Sequence, residues 1–372
     1  MRYAICYGRN MGKKRVVVAM SGGVDSSLAA CLLKEMDFEV IGATMRIWKG
    51  EEQGSPSGCC GAADVADARR VAQQLGIPYY VFNLEEEFEK EVIQYFCEEY
   101  RQGRTPNPCI LCNERMKFGA LLKRALELEA DGLATGHYAR LVFDERAGRY
   151  SLKKGVDKRK DQSYVLFSLT QNQLSHALFP LGDYVKEEVR TRALQLGLRV
   201  HDKPESQEIC FIHESSYHAF LKGRLEESVE TGPIVDKDGN VLGSHKGIPF
   251  YTIGQRRGLR LAKGKPLYVT GIDRKKNTII VGGKEEVLAD TFVVDSLNWI
   301  HPPEEASTFS AQVKIRYNHP GSEAVICSRG ENEIEVKFKT PQKAITPGQA
   351  AVFYDGETVI GGGWIKRVTS DQ

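Results

Sequence analysis

Two groups of residues carry the types and spacing that chemistry needs. The first is Ser21-Gly22-Gly23-Val24-Asp25-Ser26-Ser27, which follows the apolar run Val16-Val17-Val18-Ala19-Met20. A β-branched run of this kind predicts a buried strand, and Leu28, Leu32 and Leu33 recur at helical spacing just beyond it. The segment therefore reads as strand, glycine loop, helix. Bare glycine backbone lets N–H groups approach an anion, and a helix N-terminus adds partial positive charge, so this geometry suits phosphate. No lysine follows the second glycine, so the loop is not a Walker A motif. Its bland alternative is a tight turn.

The second group is three cysteines. Cys109 and Cys112 lie in Thr105-Pro106-Asn107-Pro108-Cys109-Ile110-Leu111-Cys112-Asn113, and Cys210 lies in Glu205-Ser206-Gln207-Glu208-Ile209-Cys210-Phe211-Ile212. Two prolines and an asparagine predict a rigid, extended loop, with Cys112 just before a helix that begins near Met116. A thiol near a helix N-terminus holds more of the nucleophilic thiolate, and Arg115 and Lys117 add to this. The three cysteines admit three uses. They are structural, or C-x-x-C plus a third Cys ligates zinc or an iron–sulfur cluster, or two of them pass sulfur by disulfide exchange. Spacing does not separate the last two.

The elements that position these groups fall into two kinds. The first half alternates strands and helices: strands at Val40 to Met45, Tyr79 to Asn83 and Gly132 to Thr135, helices at Ala62 to Leu75, Glu85 to Tyr100 and Met116 to Leu128. Such alternation predicts a Rossmann-like α/β domain with a parallel sheet and ligands at the carboxyl ends of its strands. The glycine loop, Met45 and Thr135-Gly136-His137-Tyr138 all fall at such ends. From Gly232 onward, short β-rich runs are punctuated by Gly, Pro and Asp, with a hairpin turn at Asp236 to Asn240. These runs predict a small β-rich central domain and a C-terminal antiparallel β-barrel. The expected divisions are an extension at 1–14, a catalytic domain at 15–215, a central domain at 216–287 and the barrel at 288–372.

Composition sets the setting. The chain has 372 residues, 41% hydrophobic and 27% charged, which is ordinary for a globular protein of two or three domains. No apolar run approaches the ~20 residues of a transmembrane helix, and Met1 to Lys14 lacks a secretory h-region. Met11 is an alternative start. Nine cysteines, an odd count without a signal, point to a reducing, cytoplasmic setting. A net charge of +2 announces no global field for nucleic acid. Local basic patches exist at Lys153, Lys154, Lys158, Arg159 and Lys160, and at Arg256, Arg257, Arg260, Lys263 and Lys265. The segment from Trp48 to Gly61 reads as a mobile surface loop, and its adjacent Cys59 and Cys60 are ill placed to ligate one tetrahedral ion.

The Ser21 to Ser27 loop resembles the S-G-G-x-D-S pyrophosphatase loop of enzymes that cleave ATP to AMP and pyrophosphate and adenylate an oxygen. Six further motifs follow: Thr105 to Asn113, Gly136 to Tyr138, Lys160-Asp161-Gln162-Ser163-Tyr164, Ile209 to Ile212, Gly254-Gln255-Arg256-Arg257-Gly258-Leu259 and Thr346-Pro347-Gly348-Gln349. In this order, from about residue 15 to the C-terminus, the chain resembles the tRNA-specific 2-thiouridylase family. Members place sulfur on C2 of the wobble uridine of tRNA. The resemblance implies an ATP site at Ala19, Met20, Ser21, Gly22, Gly23, Val24, Asp25 and Ser26, with Met45 against the adenine and Gly136 beside the nucleotide. Asp25 either orients a Mg2+ ion on the phosphates or caps the helix.

By the same resemblance, Cys210 carries a persulfide supplied by a cysteine desulfurase or sulfur-relay protein, and Cys112 is its partner nucleophile. A Cys112–Cys210 disulfide then closes each turnover. Many relatives have Asp where this chain has Cys109, so a [4Fe–4S] centre on Cys109, Cys112 and Cys210 stands as the alternative. For tRNA, the resemblance points to Asn107, Pro108 and Cys109 at the target base, to Lys160, Asp161 and Gln162, to His137 and Gln349, and to Arg316 and Tyr317. Read without it, His137 is a hydrogen-bonded strand-end residue and Tyr317 a barrel aromatic. Arg256 and Arg257 are expected on phosphates. A ligase that amidates a small molecule would need an ammonia source, and nothing in the sequence resembles a glutaminase.

Overall fold

The computed structural model describes residues 13–48, 61–204, 209–212, 217–225, 229–261, 264–303, 308–330 and 332–369. The expectations for Met11, for Cys59 and Cys60, and for Glu205 to Glu208 lie outside the described residues. The chain divides into two compact units. The first comprises residues 1–92, 109–213 and 357–359; the second comprises 93–108, 214–356 and 360–372.

In the first unit β1 (Arg15–Ala19) leads through the glycine loop into α1 (Val24–Glu35), then β2 (Glu39–Arg46), α2 (Ala62–Leu75) and β3 (Tyr79–Asn83). Further along are β4 (Gly132–Ala134), the hairpin β5 (Ala139–Asp144) and β6 (Arg149–Lys154), and β7 (Ala177–Leu178). The sheet order is β3-β2-β1-β4-β7, parallel throughout. The valines of β1 lie at its centre, in register with Val40 and Ile41 on one side and Gly132 and Leu133 on the other. A strand covered on both faces reads as a continuous apolar run, which is why Val16, Val17 and Val18 are fully buried. Their neighbours Leu28, Leu32, Val71, Leu181 and Val189 complete this core.

Two helical expectations are revised. The run expected as one helix from Glu85 to Tyr100 is α-helical at Glu85–Phe88, π-helical at Glu89–Ile93 and α-helical again at Gln94–Arg101. The helix expected near Met116 starts eight residues earlier, with Pro108–Leu111, followed by a π-helical stretch Cys112–Leu121 and Leu122–Glu127. Proline is tolerated in the first turn because that N–H has no helical acceptor, so Pro108 opens the helix instead of extending the loop. Cys112 therefore lies inside the helical run.

The second unit holds two sheets. The first combines β8 (Gly232–Val235), β9 (Val241–His245), β10 (Tyr268–Asp273) and β11 (Thr278–Gly282) in the order β10-β11-β8-β9. The other is built from β12 (Leu288–Trp299), β13 (Thr308–Lys314), β14 (Ser322–Ser328), β15 (Glu333–Lys343), β16 (Ala350–Asp355) and β17 (Thr358–Thr369). Their order β12-β15-β14-β13-β16-β17 closes through a β12–β17 pairing into an antiparallel barrel. Phe292, Val313, Val336, Phe338 and Phe353 fill it. The sequence predicts a strand ending at Ile360, yet β17 runs through Gly361-Gly362-Gly363 to Thr369. A Cβ on Gly361 would stand 2.4 Å from the Asn298 carbonyl oxygen, so the glycine permits the close strand approach that shuts the barrel. Among the described residues no helix is long and apolar enough to cross a membrane.

Candidate active site

The glycine loop is anchored on both sides. Met20 donates its N–H to the Ala43 carbonyl at 2.7 Å, and Thr44 Oγ1 donates to the Met20 carbonyl at 2.6 Å. Ser21 N–H donates to Ser26 Oγ at 3.1 Å. Gly22 adopts φ +70° and packs so closely on α2 that a Cβ would lie 2.3 Å from the Asp64 carbonyl oxygen. Gly23 is the N-cap of α1 and has no side chain with which to cap it. Among the described residues no side chain takes the first-turn N–H groups of α1, which leaves them to an outside acceptor with the partial positive charge of a 12-residue helix behind them. That is an anion cradle.

Asp25 is the acidic residue of this first turn. Its carboxylate accepts from Lys186 Nζ at 2.7 and 2.8 Å and from the Tyr138 hydroxyl at 2.7 Å. It therefore does not cap the helix by its side chain, and its oxygens are already held by a cation and a phenol. Gly136 lies directly against this turn: a Cβ there would meet Asp25 C and Ser26 N at 2.8 Å each. Val24 is buried, and Ala19 is half-buried at the end of β1. Met45, at the carboxyl end of β2, is 9% exposed and paired in register with Phe82.

Two lysines complete the surroundings and were invisible to motif reading. Lys186 is buried at the start of the Lys186–Gln195 helix, where its backbone N–H is held by Asp157 at 3.0 Å. The one sequence signal was a cation at a helix N-terminus, where the helix dipole opposes it. Lys203 Nζ bridges the Gly22 carbonyl at 3.1 Å and the carboxylates of Asp64 and Asp67 at 2.7 Å each. Burial works against its charge, but the two aspartates prevail and raise its pKa above the ordinary lysine value.

His137 is buried beside this region. Its Nδ1 is 2.7 Å from Thr135 Oγ1 and its Nε2 is 3.3 Å from Lys117 Nζ. An ammonium only donates, so Nε2 accepts and Nδ1 carries the proton toward Thr135. Burial first, then the Lys117 charge, push the His137 pKa well below 6.5, so the ring is neutral. In the adjacent stretch, Gln162 Oε1 accepts the Tyr138 N–H at 3.0 Å. Asp161 accepts from the N–H groups of Gly155 and Ser163 at 3.1 and 3.0 Å. These two side chains shape their loop. Lys160 is half-buried, its N–H held by the Asp157 carbonyl at 3.0 Å.

The cysteines differ in setting. Cys109 is exposed, whereas Cys112 and Cys210 are half-buried. Cys210 precedes buried Phe211, whose ring meets Phe88 edge-on at 5.7 Å. Cys31 is buried in α1, and burial together with Glu35 pushes its thiol up to about 11, so it is inert at neutral pH. No group of three His, Cys, Asp or Glu side chains among the described residues is gathered as metal ligands. Cys109, Cys112 and Cys210, the ligands of the alternative cluster reading, are not among such a group.

The remaining expected tRNA contacts belong to the second unit. The Thr105 N–H donates to the Pro347 carbonyl at 2.9 Å, and Gln349 Nε2 donates to the carbonyls of Thr105 at 2.9 Å and Pro106 at 3.4 Å. The Gln349 amide thus braces the backbone that leads to Asn107 and Pro108. Arg104 pairs with buried Glu99 through Nε at 2.7 Å, fixing the same segment from its other end. Arg316 donates to the Lys343 carbonyl at 3.0 Å, and Lys314 Nζ stands 6.0 Å from the Tyr317 ring centroid. Arg256 and Arg257 are exposed on their turn.

Residues 14–214 match the family described as tRNA methyl transferase HUP domain, residues 218–283 the tRNA methyl transferase PRC-barrel domain, and residues 289–365 the aminomethyltransferase beta-barrel domain. The chain is 52% identical to the tRNA-specific 2-thiouridylase MnmA of Carboxydothermus hydrogenoformans over 96% of this chain and 99% of that protein. It is 51% identical to the protein of the same name from Halothermothrix orenii over 95% of this chain and 99% of that one. A solved 4-thiouridine synthetase–RNA complex with bound ATP aligns at 17% identity over 57% of this chain and 51% of that one, with a TM-score of 0.36, too distant to carry an argument.

Proposed function

The chain belongs to the tRNA-specific 2-thiouridylase family, and on that premise we propose that it is a tRNA-uridine 2-sulfurtransferase that converts the wobble uridine to 2-thiouridine with cleavage of ATP. The observation that carries the proposal is the uncapped N-terminus of α1 behind Gly22 and Gly23, with Asp25 gripped by Lys186 and Tyr138. The C2 oxygen of uracil is a poor leaving group. In our reading it attacks the α-phosphorus of ATP, an O–P bond forms and pyrophosphate leaves. The residues from Ala19 to Ser26 hold the phosphates, with Met45 and Gly136 beside the nucleoside. The first-turn N–H groups of α1 are aimed where negative charge grows on the departing pyrophosphate. Magnesium enters with the nucleotide as MgATP in this reading, and Asp25, held by Lys186 and Tyr138, keeps an open side toward the phosphates.

Sulfur transfer follows. The terminal sulfur of a Cys210 persulfide attacks C2 and AMP leaves with the former C2 oxygen. The Cys112 thiolate then attacks the Cys210 sulfur, which releases 2-thiouridine and leaves a Cys112–Cys210 disulfide. An external thiol reductant supplies two electrons to reset it. A cysteine desulfurase or relay protein reloads Cys210, and we place the cycle in the cytoplasm with its substrates. For tRNA we assign Asn107, Pro108 and Cys109 to the target base, with His137, Lys160, Asp161, Gln162, Arg316, Tyr317 and Gln349 as contacts or supports for them. We divide the chain at 15–215, 216–287 and 288–372 for these roles.

The test is tRNA-dependent pyrophosphate release. Wild type should release pyrophosphate with a tRNA that carries a wobble uridine, and Asp25→Ala should lose that release while keeping its affinity for tRNA. Absence of release by wild type with any such tRNA sinks the proposal.

A further inference from the structure

The described charges that touch the glycine loop or the carboxylates beside it are Lys186, Lys203 and Arg70, against Asp25, Asp64 and Asp67. Three cations face three anions at a loop built for a polyanion, so each carboxylate there depends on its own partner. Asp64 and Asp67 share Lys203, and Asp67 also pairs with Arg70 at 2.7 Å. Asp25 has its own cation, Lys186, whose side chain is 7% exposed while that of Asp25 is 32% exposed. The carboxylate thus retains an open side at the first turn of α1, where the phosphates are expected. The ammonium approaches it from the protein interior, fixed by Asp157 at the start of its own helix. The Tyr138 hydroxyl adds a neutral donor to the same oxygen that Lys186 approaches at 2.7 Å.

We infer that Lys186 is a positioning residue for ATP: it neutralises and aims Asp25, so that the first turn of α1 accepts the triphosphate. Lys186 acts through Asp25 and not by a contact of its own with the substrate. The inference rests on the reading of Ser21 to Ser26 as the ATP site and adds a role for a lysine outside any motif. Without Lys186 the Asp25 carboxylate stands unneutralised at a helix terminus that must receive several negative charges. Like charges a few ångströms apart in a partly desolvated site repel strongly. The consequence has a definite sign: a second substitution that discharges Asp25 relieves the first.

The experiment is calorimetric ATP binding to the full chain in EDTA, so that no divalent cation intervenes, with wild type, Lys186→Met, Asp25→Asn and the double variant. Lys186→Met should weaken ATP binding about tenfold or more. The double variant should bind more tightly than Lys186→Met, and Asp25→Asn at least as tightly as wild type. In tRNA-dependent pyrophosphate release, Lys186→Met should raise the KM for ATP, whereas Asp25→Asn should lower kcat without raising KM. A lysine that only stabilised the fold would give a double variant no better than Lys186→Met. The double variant leaves no uncompensated charge, so it keeps the comparison available if Lys186→Met misfolds. Then Asp25→Asn alone decides: weaker ATP binding than wild type overturns the inference. Unchanged affinity in Lys186→Met, with wild type binding ATP, overturns this inference alone. Failure of wild type to bind ATP both in EDTA and with magnesium overturns the reading of the loop as well.

Discussion

The two glycines of the loop are equivalent in sequence but not in space, and Gly22→Ala against Gly23→Ala separates steric need from ligand need. Gly22 sits at φ +70°, where an L-residue costs about 1–2 kcal/mol. Its added Cβ would lie 2.3, 2.8 and 2.9 Å from the Asp64 carbonyl oxygen, Cα and carbonyl carbon. These are backbone atoms with no rotamer to change, so overpacking adds about 1–3 kcal/mol. The sum, about 2–5 kcal/mol, corresponds to a fall in Tm of about 4–20 °C for a unit of this size. Gly23 has φ −97°, and its added Cβ would meet only Ser21 Oγ, at 3.6 Å. Gly23→Ala should therefore cost only the exchange of a glycine for an alanine at the N-cap, no more than about 1 kcal/mol. Its Cβ would nevertheless stand at the N-cap where phosphate must approach, so the KM for ATP should rise about tenfold or more. Thermal melts and pyrophosphate release read the two effects separately. A Gly22→Ala protein that melts with wild type, or a Gly23→Ala protein that loses more stability than Gly22→Ala, refutes the reasoning.

Three further outcomes are expected. Cys210→Ser and Cys112→Ser should each lower 2-thiouridine formation by more than about 10³-fold while tRNA binding is retained; Cys109→Ser should remain active, since the persulfide route does not use its thiol, and its inactivity would count against that route. Gln349→Ala removes two hydrogen bonds to the 105–106 backbone, worth about 1–2 kcal/mol together, and steady-state kinetics should show kcat/KM for tRNA falling about fivefold to thirtyfold with the KM for ATP unchanged. For pH, burial and then Lys117 depress the His137 pKa well below 6.5, so below that pH the unfolded chain takes up a proton that the folded ring refuses. The contribution of His137 is complete above pH 6.5 and is lost as pH falls, with a slope approaching about 1.4 kcal/mol per pH unit. Denaturant titrations of His137→Gln should show a shallower acid-side loss than wild type.

Local rules in the sequence determined the strands and the phosphate loop. The valines of β1 are buried on both faces in a parallel sheet, and that condition writes itself as an unbroken apolar run. Gly22, at φ +70°, marks a turn that only a bare backbone makes, and α2 and β3 lie where periodicity predicts them. The start of the cysteine-bearing helix was less legible, because Pro108 is compatible with both an extended loop and a first helical turn. The long β17 was hidden by its glycines, which signal a break locally but serve a close approach to β12 in the closed barrel.

Partnerships between distant residues were decided only by the tertiary structure. Lys186 meets Asp25 across 161 positions, and Lys203 reaches Asp64 across 139. Nothing in the spacing of a lysine records which carboxylate it will face. The same holds for Gln349, whose acceptors lie 244 and 243 positions away, and for His137, whose neutrality follows from burial and from Lys117. A turn is fixed by the torsions of neighbouring residues and so is written locally. A charge pair or a depressed pKa depends on which distant atoms share the same dry space, and folding alone sets that.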